Sequence, residues 1–235
     1  MLKNLVTLGG ATFIIQISIV VMTLVSNITL AKYGALSIYG GDIPLSVYSI
    51  QTKVYTIVNN IAVGIALGGQ PILGYNYGAR NFDRVKETYR YIVIATLAVG
   101  LTATLIFECC PEIVINIFGK QNDLYMDFAV KSFRISLVFC FVTCFIKISS
   151  IFFQSIGKAM HSMVASIIRD MICFVAVTLS LCKIMESHTP GSGIYGILLA
   201  SPIADLIAGT VVIVLTIRYF KNLSKESDDG RRPIA

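Results

Sequence analysis

The sequence contains no tryptophan, only two histidines, and few charges, with 14% of its 235 residues being Asp, Glu, Lys or Arg. Soluble domains carry about 25% charged residues, so a soluble globular fold is excluded first. The six cysteines make no metal-ligand spacing. Cys109 and Cys110 are adjacent, Cys140 and Cys144 share one apolar run, and Cys173 and Cys182 share another. With no histidine at ligand spacing they read as small hydrophobes, and no metal is expected. No phosphate-binding loop and no dinucleotide-binding glycine pattern occur. Ser192 and His188 share a loop, but no carboxylate supports them and the Pro190–Gly193 context reads as a turn. Neither an enzyme activity nor a cofactor is expected. Lys3 and the apolar run after it imitate a signal peptide, but the run exceeds the usual core of about 7–15 residues.

What the chain has is apolar length. It is 55% hydrophobic, with a mean hydropathy of +0.77. At ~20 residues per spanning helix, six or seven spans with short loops are the ceiling. The apolar runs predict six, over residues 6–31, 45–73, 91–107, 128–153, 160–182 and 194–218. The expected fold is an all-α membrane protein, one six-helix bundle over residues 1–220. A charged, disordered tail is expected over residues 221–235. In the first span Thr12, Gln16, Thr23 and Asn27 fall on one side of the helix. In the second, Lys53, Asn60 and Gly64 share a face, and Gly64 with Gly68 permits close helix contact. Pro202 is expected to break the sixth span.

Cations set the expected topology. The net charge of +6 does not form a nucleic-acid-binding stripe, because the cations cluster between apolar runs. One set of loops and ends holds Lys3, Arg80, Arg84, Lys86, Arg90, Lys158, Arg218, Lys221, Lys225, Arg231 and Arg232. The opposite set holds only Lys32, Lys120 and Lys183. This bias predicts both termini on the cytoplasmic side. Glu87 is placed to pair with Arg84 or Arg90 at helical spacing.

Ionisable residues inside spans mark function by default. Arg169 lies ~14 Å into the fifth span and Asp205 ~16 Å into the sixth from the opposite side. Both are therefore near the midplane of a ~30 Å hydrocarbon core. Arg169 is expected to pair with Asp205, or Asp170 and Asp205 to face a wet cavity. A purely structural ion pair is the competing reading. Lys131, Arg134 and Lys147 are expected to snorkel toward an interface, and Lys53 either to snorkel or to line the pathway. Pro202 is expected to free a backbone carbonyl near Asp205.

Residues 68–80 close one apolar run and open a basic one. Gln70 and Pro71 are expected to end the second span, with Gly74 and Gly78 giving a tight exit. Here the sequence resembles a family. Gly69-Gln70-Pro71-Ile72, Gly74-Tyr75-Asn76-Tyr77-Gly78-Ala79 and Arg84-Val85-Lys86-Glu87 resemble the second helix and following loop in the C-terminal half of bacterial multidrug and toxic compound extrusion (MATE) transporters. Phe153-Gln154-Ser155-Ile156-Gly157-Lys158 is similar to the fourth-to-fifth helix turn of that half. Ser166-Ile167-Ile168-Arg169-Asp170 and Pro202-Ile203-Ala204-Asp205 resemble its fifth and sixth helices.

The resemblance implies one of two six-helix bundles around a central cavity, alternating access in a bacterial plasma membrane, and export of organic-cation or amphipathic drugs. Na⁺ or H⁺ entry would drive it. It also implies a second bundle, supplied by a homodimer or by a separate N-terminal half. A truncated or non-transporting membrane fragment, or an assembly partner, is the alternative. The family's coupling carboxylates have no counterpart here: the matching spans offer Gln16 and Asn27, and Arg134 and Lys147. The candidate pathway residues are Gln16, Asn27, Lys53, Asn60, Arg169, Asp170 and Asp205, and the helix-exit signature is Gln70, Pro71, Gly74, Asn76 and Gly78.

Overall fold

The computed structural model describes residues 2–119, 122–158, 160 and 167–229. Its elements are α1 (Leu2–Ala35), α2 (Asp42–Gly78), α3 (Phe82–Cys109), a short α4 (Pro111–Asn116), α5 (Asp123–Leu137) and α6 (Cys140–Ser155). A π-helical turn (Ile168–Cys173), α7 (Phe174–His188) and α8 (Gly193–Asp229) follow. No strand occurs among the described residues. Four of these helices are long and apolar enough to cross a membrane, and α5 with α6 makes a fifth, bent by 45°. Residues 161–166 of the fifth predicted span, Ser166 among them, lie outside the described residues, as do Lys120, Arg231, Arg232 and the side chain of Thr12.

The helices α2, α3 and α6 pack together, α7 packs along α8, and α8 also meets α5 and α6. Short connections enforce the antiparallel pairs. Two aromatic-rich cores close the ends. One gathers Tyr39, Phe107, Tyr125, Phe128 and Phe133 at the end where α1 meets α2. The other gathers Tyr89, Phe152, Phe153 and Leu223 at the basic end. Between them the filling is smaller, with Ile146, Ala208 and Val212 and a set of buried polar groups.

Glycines set the closest approaches. A Cβ on Gly100 would lie 2.7 Å from Cα of Phe141, so α3 and α6 touch by backbone. One on Gly69 would run into Ile92. Gly64 and Gly68, expected to make the close contact, instead face open space. The packed face of α2 carries Ala62, Ala66 and Gly69, on nearly the opposite side of the helix from the expected one at about 100° per residue.

Several expected boundaries move. The helix α2 runs straight through Gln70 and Pro71 to Gly78. Neither Gly74 nor Gly78 adopts the left-handed conformation; Arg80 does, at φ 56. Arg80 N–H bonds to Tyr77 O and Asn81 N–H to Asn76 O, the pair of bonds that closes a Schellman C-cap. Asn76 spends its side-chain amide on Ile72 O at 2.8 Å. The same cap recurs after α6, where Gly157 at φ 77 takes the left-handed position. The basic segment 82–90, expected as loop, is the first part of α3, with Arg84 on Glu87 at 3.7 Å and Lys86 on Asp83 at 3.8 Å.

The fourth predicted span is interrupted at Phe139, whose ψ of 29 lies outside the helix. No proline or glycine announces this, so the sequence reads as one span. The sixth is not broken: α8 passes Pro202 and continues to Asp229, including residues 221–229 of the tail expected to be disordered. Leu223, buried in the basic-end core, anchors that extension.

Candidate functional site

The wider π-helical turn is what brings Arg169 and Asp170 inward together. In an α-helix, neighbours diverge by about 100°, so both seldom face one core. Here Phe174 N–H bonds back five residues to Arg169 O, and both side chains are buried. Such turns concentrate at functional sites. Across from them, α8 delivers Asp205, 2% exposed.

Arg169 bridges the two acids. Its Nε donates to Asp205 Oδ1 at 2.7 Å and its Nη1 to Asp170 Oδ1 at 2.6 Å. Thr143 from α6 donates to Asp205 Oδ2 at 3.1 Å. Both oxygens of Asp205 are thus satisfied. Asp170 differs, since its Oδ2 is buried without a hydrogen-bond partner among the described residues.

These groups line a cavity of about 250 Å³ together with Tyr55, Asn59 and Lys147. The Tyr55 hydroxyl and Asn59 Oδ1 are likewise buried and unpartnered among the described residues. Lys147, expected to snorkel, instead faces this cavity. Two basic side chains and two acidic ones therefore share one cavity, with three oxygen atoms left unpartnered among the described residues. A compact cation or a proton is the chemistry that such oxygens accept.

Gln51 of α2 accepts from Ser132 of α5 at 2.7 Å beside the cavity. Pro202 frees the carbonyl four residues back, Leu198 O. That carbonyl is taken by the Ser136 hydroxyl at 3.3 Å, so the proline supplies a tie between α8 and α5 and not a break.

The other pathway candidates lie elsewhere. Gln16, Asn27, Lys53 and Asn60 are exposed and line no part of the cavity. The residues in their place are Thr23 on α1 and Gln51, Tyr55 and Asn59 on α2. The i, i+4, i+8 spacing of Gln51, Tyr55 and Asn59, leading to the small residues Ala62, Ala66 and Gly69, is the sequence signal for that face.

At the end remote from the basic loops, Tyr39 Oη donates to Asp127 Oδ2 at 2.8 Å, and Lys131 Nζ donates to the same oxygen at 2.7 Å. Tyr195 Oη lies 3.0 Å from Tyr39 Oη. Burial and then its hydrogen bonds to Tyr195 and Asp127 push the Tyr39 hydroxyl above the ordinary phenol range. It therefore stays protonated and donating. Lys131 is tied into this network, while Arg134 holds Glu108 O at 3.1 Å.

The MatE family model matches residues 11–178. The chain belongs to the MatE family. A crystal structure of MATE in complex with MaL6 is 19% identical with a TM-score of 0.81, over 95% of this chain and 48% of that one. An outward-facing multidrug resistance MATE family transporter of the MOP superfamily is 20% identical with a TM-score of 0.81, over 95% and 48%. A MOP superfamily transporter from Pyrococcus furiosus is 19% identical with a TM-score of 0.79, over 95% and 47%. No curated protein matches. At these identities the likeness establishes the fold, a multi-pass membrane bundle of MATE type. The chain spans about half the length of the structures it matches.

Proposed function

We propose that this MatE-family chain forms one bundle of an alternating-access exporter of organic-cation or amphipathic compounds. A second six-helix bundle, from another copy or a separate chain, completes it, and Na⁺ or H⁺ entry drives it. The carrying observation is the unpartnered polar stripe on α1 and α2. Gln16 and Asn27 lie within about 20° of each other around α1, as do Lys53 and Asn60 around α2, and all four are exposed inside membrane-length helices. Polar groups at such depth face protein or water and not lipid. Thr23, Thr52 and Thr56 carry that stripe to the rim of the Arg169–Asp205 cavity. The stripe is thus the side on which a second bundle encloses a wet pathway.

Asp170, with its unpartnered Oδ2 turned to the cavity, is the carboxylate we assign to the coupling ion, and Arg169 fixes its position through Oδ1. The test is efflux of a fluorescent organic cation from vesicles holding the chain with an N-terminal bundle, or alone, under imposed Na⁺ or H⁺ gradients. Gradient-driven efflux that D170N abolishes is expected. No efflux in either arrangement refutes the exporter, and unchanged efflux by D170N refutes the coupling assignment. The termini are expected on the cytoplasmic side of a bacterial plasma membrane, which labelling of end cysteines from each side checks.

A further inference from the structure

At the basic end, α3 and α8 leave an open groove of about 500 Å³ between them, away from the ion-pair cavity. Its rim carries Lys86, Arg90 and Lys221, and its floor is Tyr89, Val93, Ile217 and Phe220. Of the acids near it, Asp83 lies 3.8 Å from Lys86 on the rim itself, and Glu87 pairs with Arg84 outside the groove. Arg90 and Lys221 make no ion pair among the described residues, and both are exposed. The helix order gives the groove a direction. Arg90 sits one turn from Val93, and Lys221 one turn from Ile217, so cations end and apolar side chains begin within about 5 Å along each helix.

Nothing in the export reading uses this groove. Three cations over an apolar trough, at the edge where α3 and α8 enter their apolar runs, match a molecule with an anionic head and an aliphatic tail. We infer that the groove binds one anionic phospholipid, its phosphate between Arg90, Lys86 and Lys221 and an acyl chain against Val93 and Ile217. Basic pockets between membrane helices take acidic headgroups by this charge complementarity. Arg90 supplies the planar donor pair suited to phosphate, and the lysines act as point charges. The bound lipid would lie over the Tyr89–Phe220 ring contact, 5.1 Å between centroids, that joins α3 to α8 here.

The experiment is native mass spectrometry of the full chain in mild detergent, offered equal palmitoyl-oleoyl phosphatidylglycerol and phosphatidylcholine. Retention of phosphatidylglycerol over phosphatidylcholine is expected, weakened by salt. R90Q/K221Q loses about fivefold of that preference for each cation removed. I217W, which fills the trough and keeps every cation, also loses the lipid, and it decides the matter if the double variant fails to fold. Excess inorganic phosphate leaves the lipid in place. Equal retention of the two lipids, an unchanged preference in R90Q/K221Q, lipid retained by I217W, or displacement by phosphate would each overturn the assignment. Efflux is not the readout, so failure of the export reading leaves this result intact.

Discussion

Replacing Arg169 with methionine keeps an unbranched side chain of similar reach and removes the charge. Asp205 Oδ1 and Asp170 Oδ1 then lose donors now at 2.7 and 2.6 Å, inside a site where both acids are almost wholly buried. Thr143 still serves Asp205 Oδ2, and no described residue serves Asp170 Oδ2. Removing one partner of a buried ion pair costs about 3–5 kcal/mol, and here one cation serves two anions. R169M is therefore expected at or above the middle of that range, a change of roughly a thousandfold in the unfolding equilibrium. D205N alone loses less, because the amide keeps its shape and can still accept from Arg169 or Thr143. In R169M/D205N the second change relieves the first, with a coupling of about 2 kcal/mol. The chain has no tryptophan, so unfolding by SDS in mixed micelles is followed by far-ultraviolet circular dichroism. A cost for R169M below about 1 kcal/mol, or additivity of the two variants within ~0.5 kcal/mol, would refute the bridged-acid account.

The same assay checks three further expectations. S136A leaves Leu198 O unsatisfied and costs about 1 kcal/mol; in a P202A background, where the helix can serve that carbonyl itself, the cost disappears. R80G keeps the left-handed conformation without the roughly 1–2 kcal/mol it costs an L-residue and stabilises the chain by part of that amount. G157A, at the equivalent cap position, destabilises it by a similar amount. G100A drives a methyl against the Phe141 backbone and costs about 1–3 kcal/mol. G64A meets open space and gains up to about 1 kcal/mol from helix propensity.

The intramembrane acids and arginine were legible because charge inside an apolar run is costly wherever the helix points. The partner set around them was not. Thr143, Tyr55 and Asn59 are ordinary polar residues of a span, and only the face that Tyr55 and Asn59 share with Gln51, Ala62, Ala66 and Gly69 separates them from Asn60. The inward facing of both Arg169 and Asp170 depends on a π-helical turn with no proline or glycine to announce it. The bend at Phe139 is equally silent: it is settled by how closely α6 must approach Gly100. Lys147 was misplaced because a lysine near a span end satisfies itself equally well at an interface or opposite two carboxylates.

Composition and run length alone determined that this is a helical membrane bundle, since every backbone polar group in lipid must bond within its own helix. The spacing of cations also set which ends lie together, because loops alternate sides. Only the tertiary structure decided which stripe of each helix is buried. Periodicity relates residues of one helix to each other but leaves its rotation about the axis free, and that rotation is chosen by packing against neighbours. Gln51, Tyr55 and Asn59 turned inward while Lys53 and Asn60 turned out because Ala62, Ala66 and Gly69 on the former face let α3 and α6 come close. Small residues set the rotation of α2, and the polar cavity followed from it.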